Sequence, residues 1–110
     1  MYEQGEIIIV PFPFSDLSSI KQRPVLVLSR SKDNMDSDDI ITCGLTSNLK
    51  NSKYSVLITN NDLEKGQIPK DSRIKVDKLF TIDKNIVKKK VALLKKDVFN
   101  QVKKEFVNLV

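Results

Sequence analysis

The stretch KQRPVLVLSR, Lys21–Arg30, sets a cation and a proline directly in front of an aliphatic run. The β-branched and leucine-rich composition of RPVLVLSR reads as a strand. Pro24 disfavours helical geometry at Arg23 and needs no ladder donor of its own, so the chain enters this strand extended. Arg23 is therefore positioned at a strand mouth. A guanidinium held there offers a planar fork of donors matched to phosphate oxygens, although this stretch by itself favours an edge arginine paired with a carboxylate.

Reading outward, GEIIIVPF (Gly5–Phe12) precedes it as a first strand, and DIITCGLT (Asp39–Thr46) and YSVLIT (Tyr54–Thr59) follow as a third and a fourth. DSRIKVDKL (Asp71–Leu79) alternates and gives a fifth. Beyond Thr81–Lys84, VKKKVALL (Val87–Leu94) supplies a sixth. The period then changes: Val98, Phe99, Val102, Phe106, Leu109 and Val110 recur at three- and four-residue spacing, an amphipathic helix with Asp97 placed to cap it. The one loose stretch is NDLEKGQIPKDS, Asn61–Ser72. Five or six short strands and one closing helix predict a mainly β fold, a small, strongly bent sheet or partly open barrel with the helix packed on it.

The chain has 110 residues, which predicts a single domain over 1–110. A single cysteine, Cys43, and an N-terminus without a basic start and cleavage site predict a reducing, cytoplasmic setting. The apolar run Ile7–Phe14 is broken by two prolines and falls far short of the roughly 20 residues that span a bilayer. No membrane role is expected.

The net charge of +5 is unevenly distributed. Residues 1–64 hold six Lys/Arg against nine Asp/Glu, and residues 65–110 hold thirteen against five. A basic second half suits a polyanion, because each phosphate contact releases condensed counterions; lysines that merely solvate a strand and a helix would look the same.

Histidine is absent, which removes the commonest general acid or base, and Cys43 sits inside an apolar strand without an activating partner. No His/Cys cluster offers zinc ligands. DNMDSDD (Asp33–Asp39) lacks the glycine and distal glutamate of a calcium loop and reads as a solvated turn. No metal and no cofactor are expected. What remains is polar residues at strand ends: Arg23, and the hydroxyls Thr46 and Ser47 in GLTSN (Gly44–Asn48), a composition that also suits an ordinary strand-to-turn junction.

GEIIIVPFPFSD, KQRPVLVLS, GLTSN and VDKLFTIDK (Val76–Lys84) occur in the order and at about the spacing of the MazF/PemK toxins, and over nearly its whole length the chain resembles that family. The resemblance implies an SH3-like barrel, usually a homodimer, that cleaves single-stranded RNA without a metal at short preferred sequences and is paired with an acidic antitoxin. It places the catalytic arginine on Arg23 and the catalytic hydroxyl on Thr46, with Ser47 beside it as a substrate contact. An arginine and an acid used by some members fall on Lys75 and Asp77; lysine is a point charge without the bidentate fork, so only the acidic character is kept intact.

The implied chemistry needs no protein nucleophile. The RNA 2′-hydroxyl attacks the neighbouring phosphorus, and a fixed guanidinium and a hydroxyl stabilise the charge that gathers on the phosphate oxygens. Unstacked bases would find Phe12 and Phe14 in the first loop, with Asp16 as a base-edge acceptor, although Phe12 also suits the core. Lys21, Lys50 and Lys53 flank the implied site and suit the phosphate backbone. The same barrel also suits a non-catalytic binder of nucleic acid or of a protein, including the gyrase-poisoning role of a related toxin family.

Overall fold

The computed structural model describes residues 1–13 and 20–110. Seven strands, β1 (Glu6–Pro13), β2 (Ile20–Val27), β3 (Asp39–Thr46), β4 (Ser55–Ile58), β5 (Leu63–Gly66), β6 (Ser72–Asp83) and β7 (Lys89–Leu94), pair antiparallel in the order β4-β6-β3-β2-β1-β7-β5. The sheet curls into a half-barrel. A short helix α1 (Ser31–Asp36) bridges β2 to β3, and α2 (Lys96–Leu109) closes the chain. No helix among the described residues is long and apolar enough to cross a membrane.

The unbroken apolar runs of β1 and β2 have a direct cause: both strands are covered on both faces. On one face Ile7, Leu26, Cys43, Leu45, Ile74 and Val76 pack with Val98, Phe99 and Val102 of α2. On the other, Ile8, Val10, Val25, Val27, Ile40 and Ile82 form a second cluster, against which Phe12 packs half-buried. The β1–β2 register, Ile7 opposite Leu26 and Ile8 opposite Val25, sorts alternate residues into these two layers.

Four local expectations are corrected. The loose stretch after Asn61 contains β5, whose Leu63 is buried and whose edge pairs with β7. The expected fifth strand continues through Thr81 to Asp83, because Ile82 and Phe80 find partners in Ile40 and Thr42 of β3. Asp33–Asp36 is not a solvated turn but lies in α1. Its Asn34 is buried and donates to the carbonyls of Tyr2 (2.9 Å) and Ser29 (3.1 Å) while accepting from Ser29 Oγ (2.6 Å). Finally, Asp97 does not cap α2. Lys95 occupies the cap without a side-chain bond, and Asp97 sits in the first turn, where a carboxylate still favours the positive end of the helix dipole.

Cys43 is completely buried, and burial, with the nearby Asp77 charge second, pushes its thiol up to about 12. A thiolate nucleophile is thus unavailable near neutral pH. Because the folded chain holds this proton more tightly than the unfolded chain, the contribution is fully present below about pH 9 and is lost as pH rises toward 12. Wild-type stability should therefore fall by up to about 1.4 kcal/mol per pH unit in that window beyond any loss seen in Cys43→Ala. Denaturant titrations from pH 8 to 11 on both proteins measure the difference, and parallel curves would refute it.

Candidate active site

Arg23 sits on β2 opposite Val10 of β1. On the other side of β2, pairing with β3 begins only at Val25, opposite Gly44. The missing N–H of Pro24 is the local reason, since no ladder bond can be donated there. The two strands separate at this point, and the residues that would pair next are those at stake: Pro24 and Arg23 on β2, Leu45 and Thr46 on β3. All four line a cavity of about 580 Å³ on one face of the sheet and a second of about 710 Å³ on the other.

Thr46 closes β3, half-buried, opposite Arg73 of β6. Its Oγ1 accepts from the Asn48 N–H (3.1 Å), and Asn48 Oδ1 accepts from the Lys50 N–H (3.1 Å). These two side-chain turns set the path of the loop after β3. They also use only an acceptor position of the Thr46 hydroxyl and leave its O–H to donate into the cavity.

The first cavity is lined by both cations and aromatic rings. Arg23, Lys50, Lys75 and Lys78 contribute positive charge, and among the described residues no carboxylate lines it. Phe12 and Phe80 stand with ring centroids 4.8 Å apart, tilted by 47°. Phe80 reaches this position through a large irregularity in β6. Cys43 pairs with Leu79 but Gly44 with Lys75, so Val76, Asp77 and Lys78 have no counterpart on β3. The bulge bends β6 and aims Lys78 and Phe80 at Gly44, whose missing side chain leaves the cavity floor open.

Beneath the loop lies a polar network that sequence reading missed. Arg73 is buried. Its Nη1 donates to Ser55 Oγ (3.1 Å) and its Nη2 to the Leu49 carbonyl (3.4 Å), while its buried Nε has no partner among the described residues. Lys75 Nζ donates to Ser52 Oγ (2.7 Å), which donates to Ser55 Oγ (3.2 Å), which in turn donates to the Ser52 carbonyl (2.6 Å). The loop 48–52 is thereby tied to β6 from below. Alternation along DSRIKVDKL puts Arg73 and Lys75 on the face of Thr46, a signal available in the sequence. The burial of Arg73 is not readable there, because it depends on the loop folding over it.

The remaining expected residues divide. Lys21 and Ser47 line the second cavity, while Lys50 and Lys75 line the first. Lys53 is exposed in the turn before β4 and Asp77 is exposed in the β6 bulge; neither is among the residues lining these cavities. Phe14 and Asp16 lie outside the described residues. Asn48, Asn51, Ser52, Lys78 and Phe80 line the first cavity without having been singled out in the sequence. Among the described residues no group of three or more His, Cys, Asp or Glu could hold a metal ion.

A curled half-barrel, opened between two strands at an Arg-Pro step and lined there by cations, defines a narrow class of small β proteins. Residues 3–110 match the model of the PemK-like, MazF-like toxins of type II toxin-antitoxin systems, and the chain belongs to that family. The fold is shared with an endoribonuclease bound to its cognate antitoxin from a mycobacterial species (TM-score 0.79, 16% identity, covering 98% of this chain and 93% of that one). It is shared as well with a chain of the MazE–MazF complex from Deinococcus radiodurans (0.79, 19%, 98% and 94%) and with the Mycobacterium tuberculosis toxin MazF-mt6 (0.73, 18%, 94% and 93%). Comparison with curated proteins found no match.

Proposed function

We propose that this toxin is a metal-independent endoribonuclease that cuts single-stranded messenger RNA at short preferred sequences, with Arg23 and Thr46 as its catalytic residues. The observation that carries the reading is their joint placement where β2 and β3 separate, in a cavity that offers lysines to a phosphate backbone and the Phe12–Phe80 pair to an unstacked base.

The reaction is an internal transfer. The 2′-oxygen bonds to phosphorus as the bond to the 5′-oxygen breaks, giving a 2′,3′-cyclic phosphate and a 5′-hydroxyl. Negative charge collects on the non-bridging and leaving oxygens, and the Arg23 guanidinium and the Thr46 hydroxyl stabilise it. An arginine keeps its protons at neutral pH and does not serve as the base. Since among the described residues no carboxylate lines the cavity, the 2′-proton passes to water or to Asp77, which flanks Lys78 on the β6 bulge. A pH–rate profile unchanged in Asp77→Asn leaves water as the acceptor. Ser47, Lys21, Lys50 and Lys75 bind substrate, and Lys53 and the first-loop Phe14 and Asp16 add contacts at its edge.

Two partners complete the proposal, and the protein works in the cytoplasm. An acidic antitoxin covers the cationic cavity and excludes RNA. A second copy covers the apolar side of α2 that the core leaves bare: Phe106, Val107 and Val110 are 36%, 68% and 85% exposed, and the first two line a cavity of about 280 Å³ with Leu28 and Ile41. Light scattering should give twice the chain mass, and a monomer at micromolar concentration would remove this element.

The test of the activity is a single-stranded RNA carrying a mapped cut site and the same strand with 2′-deoxyribose at that position. Cleavage of the first and survival of the second are expected. Survival of both identifies a non-catalytic binder of nucleic acid or of a protein such as gyrase.

A further inference from the structure

Among the described residues, the only buried side-chain nitrogen or oxygen without a hydrogen-bond partner is Arg73 Nε. The guanidinium that carries it forms no ion pair among these residues either; its acceptors are the Ser55 hydroxyl (3.1 Å) and the Leu49 carbonyl (3.4 Å). A cation buried on neutral acceptors alone is costly, and an aliphatic side chain at this place in β6 would avoid the cost. What the guanidinium reaches gives the reason for its presence.

Leu49 lies in the loop that follows β3. Its carbonyl and the N–H of Lys50 belong to one peptide unit, and a trans peptide points the two in opposite directions. Arg73 Nη2 donates to the carbonyl, and the N–H donates to Asn48 Oδ1 (3.1 Å). The Asn48 N–H in turn donates to Thr46 Oγ1 (3.1 Å). Three hydrogen bonds thus lead from the buried guanidinium to the Thr46 hydroxyl, and bonds that share an amide polarise one another. The other arm of the guanidinium is anchored too: Ser55 donates to the Ser52 carbonyl (2.6 Å), so Arg73 grips both ends of the loop. Its backbone is paired directly with Thr46 across the β3–β6 ladder, which ties the start and the end of this chain of bonds to one rigid frame.

We propose that Arg73 is a positioning residue for the reaction: through the Leu49–Lys50 peptide and Asn48 it fixes the Thr46 side chain so that its O–H donates into the cavity. The inference rests on the endoribonuclease reading above, with Thr46 as a catalytic hydroxyl, and deepens it. Arg73 lies under the loop and lines neither cavity, so it acts through Thr46 and not on the substrate. The Asn48 N–H takes an acceptor position on Oγ1 and holds the rotamer, which leaves the hydroxyl proton to point away from the loop. Without Arg73 the Leu49–Lys50 peptide is free to rotate, Asn48 loses its hold, and the Thr46 hydroxyl spends part of its time turned from the phosphate. The loss falls on the chemical step and spares binding.

The test compares Arg73→Met with the wild type on a single-stranded RNA carrying a mapped cut site. The kcat is expected to fall about tenfold or more, the loss that follows when a reacting group drifts by about an ångström, with KM within about twofold. The decisive readout is the same substitution in a Thr46→Ala background. There it should change kcat by less than about twofold, because the group it positions is gone. A purely structural role would lower the rate by the same factor in both backgrounds. Independently of RNA, the backbone amides of Asn48 and Lys50 should exchange with deuterium at least about tenfold faster in Arg73→Met. The amide of Val76 in the same strand, bonded to the Tyr54 carbonyl (2.9 Å), should keep its protection.

Thermal melting shows whether the variant folds. If Arg73→Met does not, Arg73→Lys takes its place: it keeps the buried charge but lacks the planar fork that spans both acceptors, and it should show the same pattern. An unchanged kcat in the variant that folds, a rise in KM alone, equal losses with and without Thr46, or unchanged exchange at both amides would overturn the proposal. If the wild type cuts no RNA, the reading of the activity fails while the chain of bonds stays testable. Faster exchange at Asn48 and Lys50 then supports it, and equal exchange overturns it.

Discussion

Replacing Arg23 with alanine should lower the cleavage rate constant by about 10²- to 10³-fold, the loss seen when one preorganised donor is removed from an anionic transition state. Arg23 is exposed, so its removal should shift stability by no more than about 0.5 kcal/mol. Arg23→Lys should recover little of the rate, because an ammonium keeps the charge but cannot present two parallel donors to a phosphate. Single-turnover cleavage separates these effects from binding. A lysine variant close to the wild-type rate would reduce Arg23 to a general positive charge, and an alanine variant at the wild-type rate would remove it from the chemistry.

The largest structural effect is expected at Gly66. It closes β5 with φ at +76°, a conformation side chains rarely adopt, and a Cβ built there would fall 2.1 Å from the Val91 carbonyl oxygen on β7. That atom belongs to the backbone of a paired strand and cannot swing aside. Gly66→Ala should therefore cost about 3 kcal/mol or more, through strain added to a broken β5–β7 edge. In a domain of this size that lowers the melting temperature by about 10 °C or more. The loss reaches the second cavity, since Val91 and Gln67, the residue after Gly66, both line it. Thermal denaturation followed by circular dichroism is the measurement, and a midpoint within two or three degrees of wild type, about 0.5 kcal/mol, would contradict the account.

These two sites differ in how far the sequence disclosed them. Arg23 was legible because Pro24 is a local device: both residues lie inside β2 rather than at its mouth, yet Pro24 fixes the backbone there and removes a donor, and the opening of the β2–β3 ladder follows from that one residue. β3 was equally plain, as alternation and terminal hydroxyls fall where the strand runs, Asp39–Thr46. The role of Gly66 was hidden, because it lies in a polar stretch whose strand character comes from pairing with β7, where its partner Ala92 lies 26 residues along the chain and is invisible to local pattern. The same reason hid α1, held by the bonds of Asn34 to Tyr2 and Ser29 rather than by helix propensity.

The site follows this division. Residues on strands, Thr46 and Lys75, lie where alternation placed them, while those brought in by the loop 48–52 and by the bulge at Val76–Lys78 depend on register shifts that no spacing announces. Arg73 shows the cost of that blindness. As one basic residue in an alternating strand it looks solvated, yet it underlies the loop beside Thr46.

The central claim is that the Arg23–Thr46 gap promotes attack by the RNA's own 2′-hydroxyl. The most direct measurement is end-group analysis of single-stranded RNA incubated with the purified protein in excess EDTA. The account predicts 2′,3′-cyclic phosphate and 5′-hydroxyl ends, absent with Arg23→Ala. Fragments ending in 3′-hydroxyl and 5′-phosphate, or RNA left whole, would contradict it.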